Sequence, residues 1–222
     1  MFLIDLEEVQ NLLSTNNISI NGCFHVGSHE CEELETYNNI LGVKNENIVW
    51  VDALSSKVNE SIQRGIPNVY HALISDRDDE DIEFNVSNNF QSSSILEFGT
   101  HLEQHPTVYF THKIQEKSIT IDTFFERNNL DASKYNFWNL DIQGAELMAL
   151  KGATKSLKYA KVLYLEVNVQ KLYKNCALIN EIDDFLAQFK FKRVITKMNI
   201  SSPWLNGGWE TGWGDAIYIL ET

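Results

Sequence analysis

The chain has few cysteines, no long apolar run and little positive charge, and each scarcity removes a class of function. Cys23, Cys31 and Cys176 are the only three cysteines in 222 residues. They form neither a CxxC pair nor a His/Cys metal spacing, so neither a disulfide framework nor a zinc site is expected, and a reducing, cytoplasmic compartment fits best. The opening MFLIDLEEVQNLL is acidic and too brief in its apolar run for a signal peptide. No later stretch is long enough to cross a bilayer, so no membrane partner is expected. Lysine and arginine number 18 against 31 acids, a net charge of -13 with a pI near 4.8. A chain this acidic lacks the basic stripe that releases counterions from a nucleic acid, and nucleic-acid partners are not expected. Lys151, Lys155, Lys158 and Lys161 read as a solvated helix face. Asn-x-Ser triplets such as Asn85-Val86-Ser87 carry no glycosylation reading without a secretory signal.

What is present is apolar content of 43%, enough for one sizeable core and a single domain over residues 1–222. The chain is organised around residues 137–152, FWNLDIQGAELMALKG. Phe137, Trp138 and Leu140 supply a buried strand, Gln143-Gly144 a turn, and Leu147, Ala149 and Leu150 a helix that stops at Gly152. Asp141 then sits at a strand's carboxyl end, the edge where open α/β sheets bind ligands. The plainer alternative is that it caps the helix.

In chain order, Leu3, Leu6, Val9, Leu12 and Leu13 share one face of an N-terminal helix within residues 1–20. Residues 23–26 read as a first buried strand, Gly27 to Cys31 as a turn, and Leu34, Tyr37, Ile40 and Leu41 as the next helix. Residues 48–52 form a second strand ending in Asp52, 25 residues after Gly27. A glycine turn after one strand and a carboxylate closing the next make a Rossmann-like nucleoside site, with Asp52 accepting both ribose hydroxyls. Ala53 follows it. Residues 69–74 read as a third strand, with adenine expected near its end at Leu73 and His71 as a satisfied core histidine. Residues 77–120 form an insertion in which 82–86 and 114–121 alternate like antiparallel strands around a polar loop with Ser92, Ser93 and Ser94. His101, His105 and His112 show no metal spacing. A helix over 121–130 leads into the central strand, and a fifth strand over 162–168 carries Glu166 and ends at Asn168. Asp141 and Glu166 are therefore expected to face one pocket. After a helix over 179–189 and a strand over 191–195, the Trp/Gly-rich loop 200–214 precedes a last strand over 215–220. Trp204, Trp209 and Trp213 lie in that loop, where a tryptophan face can stack on a sugar ring or the loop can fold over its own aromatic plug.

Leu140-Asp141-Ile142-Gln143-Gly144-Ala145-Glu146, followed by Leu150-Lys151-Gly152-Ala153, resembles the LD-x-x-GAE-x-x-x-LKGA signature of the FkbM-like family of S-adenosylmethionine (SAM) dependent methyltransferases. The first turn resembles the family's D-x-GA-N-x-G, with His25, Gly27, Ser28, His29 and Cys31 at those places. His25 stands where the family has an acid near the cofactor's amino-acid end, which Glu30, Glu32 or Glu33 would have to replace. The N…SSS loop is similar to a family feature as well. The resemblance implies a Rossmann-like class I methyltransferase fold: a seven-stranded mixed sheet with an antiparallel last strand, helices on both faces and a β-hairpin insertion.

It also implies SAM as cofactor, with Gly27, Ser28, His29, Asp52, Ala53, Leu73, Asp141 and Gln143 as its contacts. The implied reaction is O-methylation, for which the serine and tryptophan loops suggest a sugar or glycan acceptor touched by Ser93, Ser94, Asn168, Trp204 and Trp209. Orientation is most of such catalysis, aided by a base for the hydroxyl proton. Asp141 and Glu166 are the candidate bases, His29 the reserve, and Glu146 more suited to orienting the turn. A divalent metal held by the carboxylates is the alternative. A protein or other small-molecule acceptor, or a binding module without turnover, are the rival readings. Oligomeric state is not legible.

Overall fold

The computed structural model describes residues 2–200 and 210–221. Helix α1 (Leu6–Thr15) starts where Asp5 accepts the Glu7 amide, and it buries Leu6, Val9 and Leu13. Strand β1 (Cys23–Val26), α2 (Leu34–Asn39), β2 (Ile48–Asp52), α3 (Ser55–Gln63) and β3 (Val69–His71) follow, with the three strands parallel. The insertion holds β4 (Leu73–Ile74), β5 (Asp81–Ser87), α4 (His101–Gln104) and β6 (Phe110–Ile119) in a separate three-stranded sheet of order β4-β6-β5. Helix α5 (Ile121–Arg127) then leads to β7 (Phe137–Leu140), α6 (Glu146–Lys151), β8 (Val162–Asn168), α7 (Ile179–Ala187), β9 (Phe191–Ile200) and β10 (Glu210–Leu220).

The main sheet has seven strands in the order β3-β2-β1-β7-β8-β10-β9, and β10 runs antiparallel to both neighbours. Every residue of β1, β2, β7 and β8 is buried, because helices cover both faces and no face is left for polar alternation. On one face Phe24, Val51, Trp138 and Leu165 pack with Phe124, Leu150 and Leu186; on the other Cys23, Trp50, Phe137 and Ile217 pack with Leu6, Val9 and Tyr37. Chain direction across the sheet reverses between β1 and β7, so a crevice opens beyond their carboxyl ends. The register Val26 to Leu140 puts Gly27 beside Asp141 at the mouth of that crevice.

Three expectations change. Residues 69–74 do not form one strand: the Ala72 amide makes the last bond to the Asp52 carbonyl, after which Leu73 joins a separate core with Leu54, Phe84 and Val86 and pairs with β6. His71 is not a core histidine but exposed; its Nε2 donates to the Ala53 carbonyl at 3.0 Å and lies 3.5 Å from Glu116. The final hairpin is also longer than expected, since β9 continues to Ile200 and β10 takes in Trp213. Trp204 and Trp209 lie outside the described residues. Cys23, Cys31 and Cys176 are free and buried. Among the described residues no helix is long and apolar enough to cross a membrane.

Gly152 ends α6 where the helix meets the strand ends. A Cβ there would stand 2.4 Å from the Ser75 carbonyl oxygen and 3.1 Å from the Thr120 Cβ. Gly152→Ala is therefore expected to cost about 1–3 kcal/mol in urea unfolding, the usual range for overpacking. An unchanged midpoint would mean that α6 can withdraw from the sheet freely.

Candidate active site

The site begins with a backbone contact that only glycine permits. Gly27 has φ +84°, and a Cβ on it would lie 1.8 Å from the Asp141 carbonyl oxygen. Beyond Asp141 the chain turns through Gln143 and Gly144, both left-handed, into α6. Glu146, buried, braces this turn: its Oε1 accepts the Ile142 amide at 2.9 Å and the Gly144 amide at 3.2 Å. Burial raises its carboxyl to about 7, against the pull of those amides. The expected orienting role of Glu146 is thus the one its bonds describe.

Gln143 joins the two carboxylates that the sequence places on neighbouring strands. Its Nε2 donates to Asp141 Oδ1 at 2.8 Å and to Glu166 Oε2 at 2.7 Å, while its Oε1 accepts from the Tyr173 hydroxyl at 2.7 Å. Ser94 Oγ donates to the Gln143 carbonyl at 2.9 Å, so both ends of this residue are fixed. Burial, reinforced by the charges of Asp141 and Glu146, holds the Glu166 carboxyl well above the ordinary carboxylate range. Among the described residues no three His, Cys, Asp or Glu side chains are arranged to hold a metal ion. Gln143 puts N–H donors between Asp141 and Glu166, at the place a shared cation would take.

Two pockets meet along Gly27, His29, Gln91, Asp141 and Gln143. The smaller is walled by Ala53, Leu54, Leu73, Ile74, Phe84 and Ile95, an apolar slot of the kind that takes a flat base, with Asp52 and Ser93 on its rim. Asp52 Oδ2 accepts the His29 amide at 2.7 Å and Oδ1 the Leu54 amide at 2.8 Å. Each oxygen keeps a lone pair for a ligand hydroxyl. Burial raises the Asp52 carboxyl and these two amides counter it. His29 and Cys31 both have left-handed backbone, with φ of 43° and 55°. Asparagine and glycine, which the family motif has at these two places, adopt that geometry most readily, so the loop keeps its shape with less favourable residues.

The larger cavity, about 450 Å³, lies on the far side of Asp141. Its walls include Ser28, Glu32, Glu33, Tyr164, Glu166, Tyr173, Trp213 and Asp215. His25 reaches it as a neutral ring, because burial pushes the imidazole down to about 4. Its Nε2 accepts from Asn139 Nδ2 and its Nδ1 meets the Tyr37 hydroxyl, both at 3.2 Å. Of the three acids that could replace the family's missing one, Glu32 and Glu33 line this cavity, whereas Glu30 is turned to Lys57 at 2.6 Å. His29 binds Glu32 through Nδ1 at 2.8 Å, and that bond raises its pKa, which favours the protonated ring that has no site left to take a proton.

Ser93 lines the smaller pocket and not the larger one. Ser93 Oγ accepts the Ser87 amide at 3.0 Å, while Ser94 takes no part in either pocket wall. Asn168 is buried, its amide has no partner, and it lines neither pocket. Sequence reasoning missed Asp215, Tyr173 and Asn139. Asn139 left a signal, a lone polar residue inside a fully apolar strand; Tyr173 left none, since only the folded chain brings it to Gln143.

A parallel sheet with an antiparallel β10, a glycine turn after β1 and an acid closing β2 define the class I SAM-dependent methyltransferase fold. The model of the methyltransferase FkbM domain matches residues 10–193, and the chain belongs to that family. It is a SAM-dependent methyltransferase by family and fold. Among solved structures it is similar to TrmK of M. capricolum in complex with S-adenosyl-homocysteine (SAH), at a TM-score of 0.50 and 8% identity, over 100% of this chain and 70% of that one. It also matches the O-methyltransferase of Bacillus cereus in complex with SAH, at a TM-score of 0.48 and 10% identity, over 97% and 80% of the two chains. Comparison with curated proteins gives no match.

Asp215 supplies a test of the cavity's electrostatics. Burial raises its carboxyl to about 6 from 3.8, while bonds from the Tyr164 hydroxyl and the Leu3 amide oppose the rise. A carboxyl whose folded pKa is raised stabilises the fold fully below pH 3.8, and that contribution is lost as pH climbs through about 6. Asp215→Asn should therefore remove a loss on the order of 2 kcal/mol between acid and neutral pH. Urea unfolding of both proteins at several pH values measures it; parallel stability curves would contradict the assignment.

Proposed function

We propose that this chain transfers the methyl group of SAM to a hydroxyl of a sugar or glycan, with Asp141 as the base. The observation that carries this reading is Asp141 itself, the one carboxylate among the described residues that lines both pockets and sits at their junction. The residues of the smaller pocket fit the cofactor: the apolar slot suits adenine, Asp52 the ribose, and the close approach at Gly27 leaves backbone open to a ligand.

When bound, SAM supplies a methyl already activated by a sulfonium. What remains for the protein is to align an oxygen and take its proton as the new bond forms. Asp141, fixed by Gln143 Nε2, can accept that proton. Glu166 and Tyr173, joined through the same amide, hold the base in place. Trp213 offers a ring on which a sugar's C–H groups can stack.

The first test is calorimetric titration with SAM and SAH. Asp52→Asn should weaken both by roughly tenfold or more, as expected when a charge-assisted hydrogen-bond acceptor is lost. Asp141→Asn should leave SAH affinity within about tenfold while lowering turnover of an acceptor that the unaltered protein methylates by a factor on the order of 100 or more. No binding of SAH to the unaltered protein would end the reading.

A further inference from the structure

The tip of the insertion presents an aromatic ring where the backbone accepts one least readily. Phe90 has left-handed backbone, φ 61°, and among the described non-glycine residues of that conformation it alone carries a large apolar side chain. Asparagine takes this conformation at little cost, and Asn88 and Asn89 stand just before it, yet the turn is set so that phenylalanine occupies the costly place. Side chains hold it there. Asn89 Oδ1 accepts the Ser92 amide at 3.1 Å and the Ser87 hydroxyl at 2.7 Å, Ser93 Oγ accepts the Ser87 amide at 3.0 Å, and Asn88 Nδ2 donates to the Thr107 carbonyl at 3.1 Å. A strained residue fixed this firmly by its surroundings is characteristic of ligand sites.

What the ring does there follows from its neighbours. Phe90 lines the smaller pocket although 42% of it is exposed, so the fold gains little from its burial. Leu54, Leu73 and Phe84 line the same pocket from a small buried core of their own. Lys57 Nζ stands over the Phe90 ring, 5.1 Å from its centroid, and is itself held by Glu30 at 2.6 Å and Glu60 at 2.9 Å. Lys57 belongs to α3, the helix that follows Asp52, so this contact ties the tip of the insertion to the element beside the ribose acceptor. Gln91, next in the chain, lines both pockets, which sets the tip across their junction.

We propose that Phe90 is a cofactor-binding residue whose ring closes over the adenine of SAM or SAH in the apolar slot. A planar base is held best when apolar groups meet both of its faces. Leu54, Leu73 and Phe84 meet it from the packed core, and Phe90 meets it from a turn whose ring gains burial from the base itself. The assignment rests on the methyltransfer reading above and adds to it a contact that comes from the insertion and not from the main sheet.

Calorimetric titration with SAH tests it on the unaltered protein, Phe90→Asn and Phe90→Tyr, together with urea unfolding of each without ligand. Phe90→Asn removes the ring and keeps a residue suited to left-handed backbone, so its unfolding midpoint should not fall. Its SAH affinity should drop at least about fivefold, the lower end for a lost base–aromatic stack. Phe90→Tyr should stay within about twofold of the unaltered protein. Nuclear Overhauser contacts in the SAH complex should join the Phe90 ring to the adenine C–H groups. A smaller loss in Phe90→Asn, an equal loss in Phe90→Tyr, a lowered unfolding midpoint in Phe90→Asn, or no contact between ring and base would overturn the proposal. Each of these leaves SAH binding to the unaltered protein in place, whereas no binding there ends the methyltransfer reading and this assignment together.

Discussion

The side-chain amide of Gln143 is the contact on which the site depends. It stands on a left-handed residue, which the chain accepts because Glu146 satisfies the amides on either side of it and Ser94 takes its carbonyl. From that position one nitrogen serves two carboxylates from adjacent strands, and the amide oxygen is occupied by Tyr173. The orientation is therefore fixed chemically: only the nitrogen end can face two acceptors while the oxygen end meets a hydroxyl donor. With the orientation fixed, Asp141 is held at the boundary of the two pockets, where we propose that it acts as the base.

The same boundary explains the glycine turn. Val26 and Leu140 end neighbouring parallel strands, so the residues that follow must separate without losing contact. Gly27 allows the Asp141 carbonyl to pass where any side chain would collide. On its other side the His29 amide reaches Asp52, which links the turn after β1 to the acid that closes β2. The smaller pocket and the larger cavity are thus two sides of one hydrogen-bonded ridge.

How much of this could be read from the sequence depends on how local the cause is. β1, β2, β7 and β8 were legible because strands buried on both faces are continuous apolar runs, and Asp52 and Asp141 because each closes such a run. The paired carboxylates were legible once two such strands were taken as neighbours. His71 was not, since its alternating neighbours conceal a strand that leaves the main sheet one residue later. Ser94 reads as a loop hydroxyl, yet its partner lies 49 residues away. Asp215 opens an otherwise apolar strand, and only the cross-strand register reveals that it faces Glu166. Local pattern specifies the strands; the acceptor side of the site comes from pairings made by the folded chain.

The buried acids also show where the fold gives up stability. Glu146, Glu166 and Asp215 all have carboxyls raised by burial, so the fold on its own favours their protonated forms. Glu146 can stay that way without consequence, because its work is to accept two backbone amides, and a neutral carboxyl oxygen does so. Glu166 and Asp215 differ in lining the larger cavity. A hydrophobic pair at those two positions would have given the β8–β10 contact greater stability. Two opposed carboxylates in a packed sheet therefore cost stability on the wall of the larger cavity.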